Sequence, residues 1–293
     1  MLSIGAGFLM ACTSLVVKMA SSLPFYEMLM ARCVGTLLFG PPLMIFYSHP
    51  FIPPNLKEFF LVFGRGLFGC IAIGALFFAF GHIPLGDATA LVFTSPVWTA
   101  ILGYFLLKEG WSIYDSFAVV LSLVGVIFIT RPSFIFHKDE KKGLDSLSWL
   151  AYIASIGGSI ALALSYVCVR KVKKTGAFTL VFYYGVTGIF LGIGFGAAQG
   201  FKLPDCGTFD NIYAILCAFF SFCGQVCVIT ALKLEKAAIV ALGRATDIAF
   251  VFILQAIFVE GSVSVLSIVG AIMILSCNIS IFFKKWFASK NKN

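Results

Sequence analysis

Two stretches of eight residues decide how this chain is read: Ser122-Leu-Val-Gly-Val-Ile-Phe-Ile129 and Ser267-Ile-Val-Gly-Ala-Ile-Met-Ile274, identical at five of eight positions. Each lies inside a long apolar run. Glu109-Gly110 after the fourth run is matched by Glu260-Gly261 after the ninth, in the same order. Working outward by charge and turn residues, with about 20 apolar residues per crossing, ten runs emerge: 2–20, 25–47, 59–81, 86–107, 113–130, 147–169, 177–200, 210–232, 237–259 and 263–283. The longest connection, Arg131 to Ser146, carries His137-Lys-Asp-Glu-Lys-Lys142 and splits the chain into five runs plus five. The organisation read is a first five-helix repeat over 1–131, an extramembrane loop over 132–146, a second repeat over 147–284 and a cytosolic tail over 285–293. An odd number of crossings per copy reverses the second. The expected fold class is therefore an all-α membrane protein with ten transmembrane helices as two inverted five-helix repeats, the layout of secondary transporters.

Composition agrees. Of 293 residues, 60% are hydrophobic, 16% aromatic and 12% charged, where a soluble domain carries about a quarter charged. Soluble, disordered and nucleic-acid-binding classes are excluded. The net charge of +8 sits in short loops and the C-terminal tail, where lysine and arginine set orientation. With the N-terminus inside, cytosolic segments hold twelve basic residues (Lys57, Lys108, Arg170, Lys171, Lys173, Lys174, Lys233, Lys236, Lys284, Lys285, Lys290, Lys292) against six outside. Both termini are expected in the cytosol. The exit of run one has only Lys18, whereas that of run six reads Arg170-Lys171-Val-Lys173-Lys174, as inversion requires. The first run opens almost at Met1, without a cleavable signal peptide, and a cytosolic N-terminal tail is expected to be missing from this sequence. The tail shows no retention address, and the plasma membrane is expected ahead of endoplasmic reticulum or Golgi. Nine cysteines include no CxxC pair, and eight lie in apolar runs, where Cys acts as a small hydrophobe. No disulfide framework, metal site or cofactor is read.

Four ionisable residues lie inside runs: Arg32, Arg65, Arg244 and Asp247. Each costs at least a few kcal/mol at depth and should face the bundle interior with a partner. Three bases against one acid leave two positive charges over, which favours an anionic substrate. The blander alternative is that Arg32 and Arg65 snorkel to an interface, while Arg244 and Asp247, three apart on one helix face, neutralise each other. In run four, Thr94-Ser95-Pro96 offers a hinge with two hydroxyls, because Pro removes a backbone bond that a neighbouring hydroxyl can replace. Gln225, Tyr183 and Tyr184 can donate to carboxylate or hydroxyl groups, or simply pack. The repeat places Pro96 opposite Asp247. Asn278 opens an Asn-Ile-Ser sequon inside run ten, out of reach of glycosylation. Gly188, Gly192, Gly196 and Gly200 recur every fourth residue along run seven. That face suits close helix packing, sliding, or a homodimer seam. No nucleophile–base pair, phosphate loop or metal cluster is present, so no catalytic residue is named and no nucleotide-binding domain can drive transport.

The residues also resemble a known family. Lys18, Arg32 and the five-plus-five layout look like the drug/metabolite transporter superfamily of EamA type. Arg65-Gly66, Leu85-Gly-Asp-Ala-Thr89, Thr94-Ser-Pro96, Leu107-Lys-Glu109, Arg131-Pro132, Tyr183-Tyr184, Cys223-Gly-Gln225, Leu234-Glu-Lys-Ala237 and Asp247 are similar to the G subgroup of solute carrier family 35. This resemblance covers nearly the whole chain and implies a ten-helix carrier of small organic solutes, working by alternating access. The spare arginines make di- or tricarboxylates such as citrate the first expected substrates, with nucleotide sugars second. A non-transporting adaptor that binds another membrane protein through the run-seven glycines is the alternative from a different class.

Overall fold

Lipid offers no hydrogen bonds, so each apolar run must satisfy its own backbone, and helix is the form available to a single run. The computed structural model describes residues 2–19, 25–80, 82–110, 112–132, 135, 146–199, 208–258 and 265–290. Its main helices are α1 (Leu2–Met19), α2 (Phe25–Phe46), α3 (Leu56–Phe80), α4 (Leu85–Val92), α5 (Ser95–Leu107), α6 (Ile113–Thr130), α7 (Ser146–Lys171), α8 (Ala177–Gln199), α9 (Thr208–Leu234), α10 (Ala237–Phe258) and α11 (Val265–Lys290). With α4–α5 counted as one span, eight are long and apolar enough to cross a membrane, and α1 and α11 contribute the shorter apolar stretches Leu2–Val17 and Val265–Ser280. The chain is an all-helical, multi-pass integral membrane protein.

Two boundaries depart from the sequence reading. Run four is two helices, broken at Phe93-Thr94. Pro96 cannot donate, and the Thr94 hydroxyl instead donates to the Leu91 carbonyl at 2.6 Å, while Val97 N–H closes a turn on Thr94 O at 2.9 Å. Also, α11 stays helical through Lys290, where a tail was expected from 285. Hydropathy marks where hydrocarbon ends; it does not mark where backbone hydrogen bonding ends. Most of the loop 132–146, Glu260-Gly261, Gly200, the side chain of Lys18, the surroundings of Gly196, and residues 291–293 lie outside the described residues.

The two octapeptides quoted above meet. A Cβ on Gly125 of α6 would lie 2.8 Å from the Gly270 carbonyl of α11, and one on Gly270 would lie 2.5 Å from the Gly125 carbonyl. Only glycine lets these backbones approach so closely. Numbering spans one to ten, the packing follows a rule. Span three packs on six and one on eight; one on nine and four on six; two on eight and three on seven. Each pairing becomes its companion when five is added to or taken from each number, and two with seven and five with ten pair directly.

That packing also assigns the glycine face of α8. A Cβ on Gly188 would meet Cys33 Sγ at 2.3 Å, and one on Gly192 would meet Met30 Cγ at 2.7 Å. Gly188 and Gly192 are thus filled by α2 of the same chain, which corrects the expectation of a homodimer or adaptor seam there. Sequence spacing marks a smooth face without saying which helix covers it.

The loops 47–55, 108–110, 172–176 and 235–236 share one end of the bundle, here the basic end. The apolar cluster of Val62, Val169, Leu180, Ile229, Leu232 and Val240 lies toward it.

Candidate functional site

Arg65 is the most enclosed of the intramembrane charges. It sits in Gly64-Arg65-Gly66 of α3 with 3% exposure. Its Nη1 donates to Ser165 Oγ of α7 at 3.0 Å and its Nη2 to Gln225 Oε1 of α9 at 2.7 Å. Ser165 Oγ in turn donates to the Arg65 carbonyl at 3.0 Å. The guanidinium lies over the Tyr184 ring of α8, 4.9 Å from its centroid. Gly69, one turn on, makes room: a Cβ there would reach 2.6 Å from Arg65 Nη1 and 3.1 Å from the Tyr184 ring. All of these partners are neutral. Charge-assisted bonds of roughly 1.5–3 kcal/mol each and a ring contact of up to about 2 kcal/mol solvate the cation, but they do not neutralise it. Arg65 Nε is buried and unpartnered.

A second group stands on α10. Arg244 Nη2 and Asp247 Oδ2 are 3.5 Å apart, one helical turn along the same face. The pair is loosely closed, because Arg244 Nη1 and Asp247 Oδ1 are both buried without a partner. Buried Tyr166 of α7 lies near both Arg65 and Arg244, and Arg32 lies near Asp247. Half-buried Arg32 donates from Nε to Ser221 Oγ of α9 at 2.9 Å. α1 closes on α10 beside this group, where a Cβ on Gly7 would lie 3.2 Å from Asp247 N.

The structure therefore gathers Arg65, Tyr184 and Gln225, with Arg32 and Arg244 also near Tyr184 and Asp247 held by Arg244. It does not bring Tyr183 into this group. That ring stands edge-on to Phe59 at 5.9 Å, because successive residues of a helix point about 100° apart. Thr94 contacts Ser159 Oγ of α7 at 3.2 Å, and Ser95 is buried beside it at the helix break. Asn278 lies in α11, donating to Ile274 O and Leu242 O. Ser159, Ser165, Tyr166 and Ser221 were missed from the sequence. Their signal was the presence of hydroxyls in apolar runs six and eight, where Ser and Tyr also serve as ordinary packing residues.

The basic end is built differently. Glu109 accepts from Arg170 Nε at 2.9 Å and from Ala237 N–H at 3.1 Å. Arg170 also donates to the carbonyls of Leu232 and Lys233 at 3.3 and 2.8 Å. A carboxylate thus caps the N-terminus of α10 and a cation the C-terminus of α9, both favourable to the helix dipoles. Lys236 reaches the Gly110 carbonyl. Glu58 accepts the N–H groups of Lys174 and Thr175, each at 2.9 Å. His49 lies against Phe178 in the same region, and burial, then the Lys233 charge, holds its pKa below the ordinary imidazole value.

The all-helical, multi-pass bundle carries a polar cluster between its spans, and the proteins it resembles are membrane transporters, not enzymes. The chain belongs to the EamA-like transporter family, whose sequence profile matches residues 1–131 and 149–283. It is 32% identical to human solute carrier family 35 member G1 over 288 residues, covering 97% of this chain and 78% of that protein. The mouse counterpart is also 32% identical, over 285 residues, 96% of this chain and 77% of that protein. Pseudopaline exporter CntI of Pseudomonas aeruginosa is 23% identical over 85% of this chain and 84% of its own. One solved crystal structure shares the fold, with TM-score 0.81 at 11% identity, covering 94% of this chain and 93% of that one. These relatives place the chain in the drug/metabolite transporter superfamily, close to the G subgroup of solute carrier family 35.

Proposed function

We propose that this transporter is a secondary carrier of small organic anions, with di- and tricarboxylates such as citrate as first candidates, working by alternating access between two inverted five-helix repeats. The observation that carries the substrate class is Arg65, a buried cation whose partners are all neutral and whose Nε is unpaired. A buried charge without a counter-charge is costly, and an anion supplied by the substrate removes that cost during transport. Arg32 and the loosely closed Arg244–Asp247 pair extend the positive surface, and Tyr184 and Gln225 position Arg65. The break at Thr94-Ser95-Pro96 is the natural hinge of span four. The exchange of packing partners between halves supports the inverted repeat, and the twelve-to-six excess of loop cations supports cytosolic termini, with the plasma membrane as the site of action. The adaptor reading loses its handle, since Gly188 and Gly192 are filled from within the chain.

Uptake of radiolabelled citrate, succinate and a nucleotide sugar into proteoliposomes holding the purified chain tests this. Saturable carboxylate uptake is expected. Uptake of nucleotide sugar alone would keep the carrier and replace its substrate, and uptake of none of the three would leave another solute open and move the adaptor reading ahead of this one.

A further inference from the structure

At the basic end a recess of about 710 Å³ opens among the first turn of α3, the last turns of α5, α7 and α9, and the strand of chain that follows α7. That volume falls within the roughly 300–1,000 Å³ of small-molecule sites. Lys57, Arg170, Lys171, Lys173 and Lys233 line it, with Glu109 as its carboxylate. Glu109 is already committed to Arg170 and to Ala237 N–H. The nearby Glu58 is committed to the backbone of Lys174 and Thr175. Lys233 is turned to the Thr175 carbonyl. Lys57, Lys171 and Lys173 are exposed, and among the described residues no carboxylate pairs with them.

The flank of the recess is apolar. Leu61 and Leu106 line it beside the cations. On the same two helices Leu56, Phe60 and Phe105 are 75%, 64% and 71% exposed, a surface that faces acyl chains in a bilayer. A ligand matching both halves has a multiply charged phosphate head, which lysines bind as point charges, and a hydrocarbon body alongside α3 and α5. Basic pockets between spans at the level of the headgroups have this chemistry. We infer that the recess between α3, α5, α7 and α9 binds the phosphate headgroup of an anionic phospholipid from the leaflet at that end. The recess shares Arg170 and Glu109 with the ties that hold the end together, so bound lipid lies directly against those ties.

The test reads binding directly and stands apart from transport. Purified chain in detergent is mixed with phosphatidylinositol 4,5-bisphosphate, phosphatidylserine or phosphatidylcholine, and retained lipid is counted by native mass spectrometry. Inorganic phosphate and soluble inositol trisphosphate run beside them. The wild type should retain one anionic lipid in preference to phosphatidylcholine. Lys57→Ala/Lys171→Ala/Lys173→Ala together should lower that retention at least about tenfold, because lysines near an anionic surface each strengthen binding. Lys171→Arg alone should retain it, and a monodisperse elution profile shows that the triple variant is folded. Equal retention by the triple variant, or equal retention of phosphatidylcholine by the wild type, overturns the site. Binding of the soluble inositol phosphate as tightly as the lipid overturns the lipid assignment and leaves a soluble anion.

Discussion

Arg65 and Arg170 are both arginines near an α3–α7 contact, yet they are held in opposite ways. Arg170 meets a carboxylate, Glu109, and two helix C-terminal carbonyls. Arg65 meets a serine hydroxyl, an amide oxygen and an aromatic face. The first charge is spent on joining α5, α7, α9 and α10 at one end of the bundle. The second is solvated but unspent, deep between spans. A protein holds such a charge in low dielectric at a cost of several kcal/mol, and the contrast teaches where to look for a ligand: at the charge that structure has not used.

The largest expected effect follows from that contrast. Arg65→Ala should cut anion uptake about hundredfold, on the scale of 2–5 kcal/mol for removing one member of a buried charged contact with ligand. Its thermal stability should fall as well, because Ser165 and Gln225 lose their buried donor, but the chain should stay folded because no buried carboxylate is left stranded. Uptake assays and a thermal melt on the same preparation check both halves. A collapse in stability with residual uptake would reverse the assignment and make Arg65 structural.

A subtler substitution moves the charge without deleting it. Gly69→Ala brings a methyl to 2.6 Å from Arg65 Nη1 and 3.1 Å from the Tyr184 ring. Both neighbours are side-chain atoms, so the backbone can stay in place while the guanidinium is pushed off its bonds to Ser165 and Gln225. Anion uptake should fall about tenfold, the order of a misplaced binding group, through a raised KM. Gly157→Ala, where a Cβ meets nothing within 4 Å, should match the wild type. Equal uptake in Gly69→Ala and Gly157→Ala would show that the stacked geometry of Arg65 is immaterial.

How much of this was legible beforehand depends on which physical constraint wrote each feature. Hydrocarbon thickness fixes the length of a crossing, so the apolar runs could be read, and Pro96 marked span four as a hinge or kink without showing that the helix breaks there. Arg65, Tyr184 and Gln225 could each be named, because polar groups in apolar runs stand out. Their meeting could not, since it depends on how α3, α8 and α9 pack. Ser165 and Tyr166 carry no such contrast and were passed over. Glu109 was read as a mark of the repeat and Arg170 as an orientation charge; their pairing joins chain segments far apart in sequence. The α8 glycines were legible as a close-packing face, but a spacing of four is the same whether the partner is α2 or another copy of the chain.

The smallest effect tests the other side of the comparison. Glu109→Gln keeps the shape of the side chain and one acceptor oxygen, so it can still serve either Arg170 Nε or Ala237 N–H, but as a neutral group. The bond to Arg170 loses its charge assistance, and the N-terminus of α10 loses its anion. Both side chains reach water, with 29% and 14% exposure for Arg170 and Glu109, and solvent screens most of their attraction. A loss of about 1 kcal/mol is therefore expected, read as a melting shift of about 2–4 °C. Arg170 retains its two backbone carbonyls, so Arg170→Gln combined with Glu109→Gln should cost less than the sum of the single changes. Anion affinity should be untouched in Glu109→Gln, because this charge is already used within the protein. A fall in affinity comparable to that of Arg65→Ala would erase the distinction between spent and unspent arginines on which the substrate site rests.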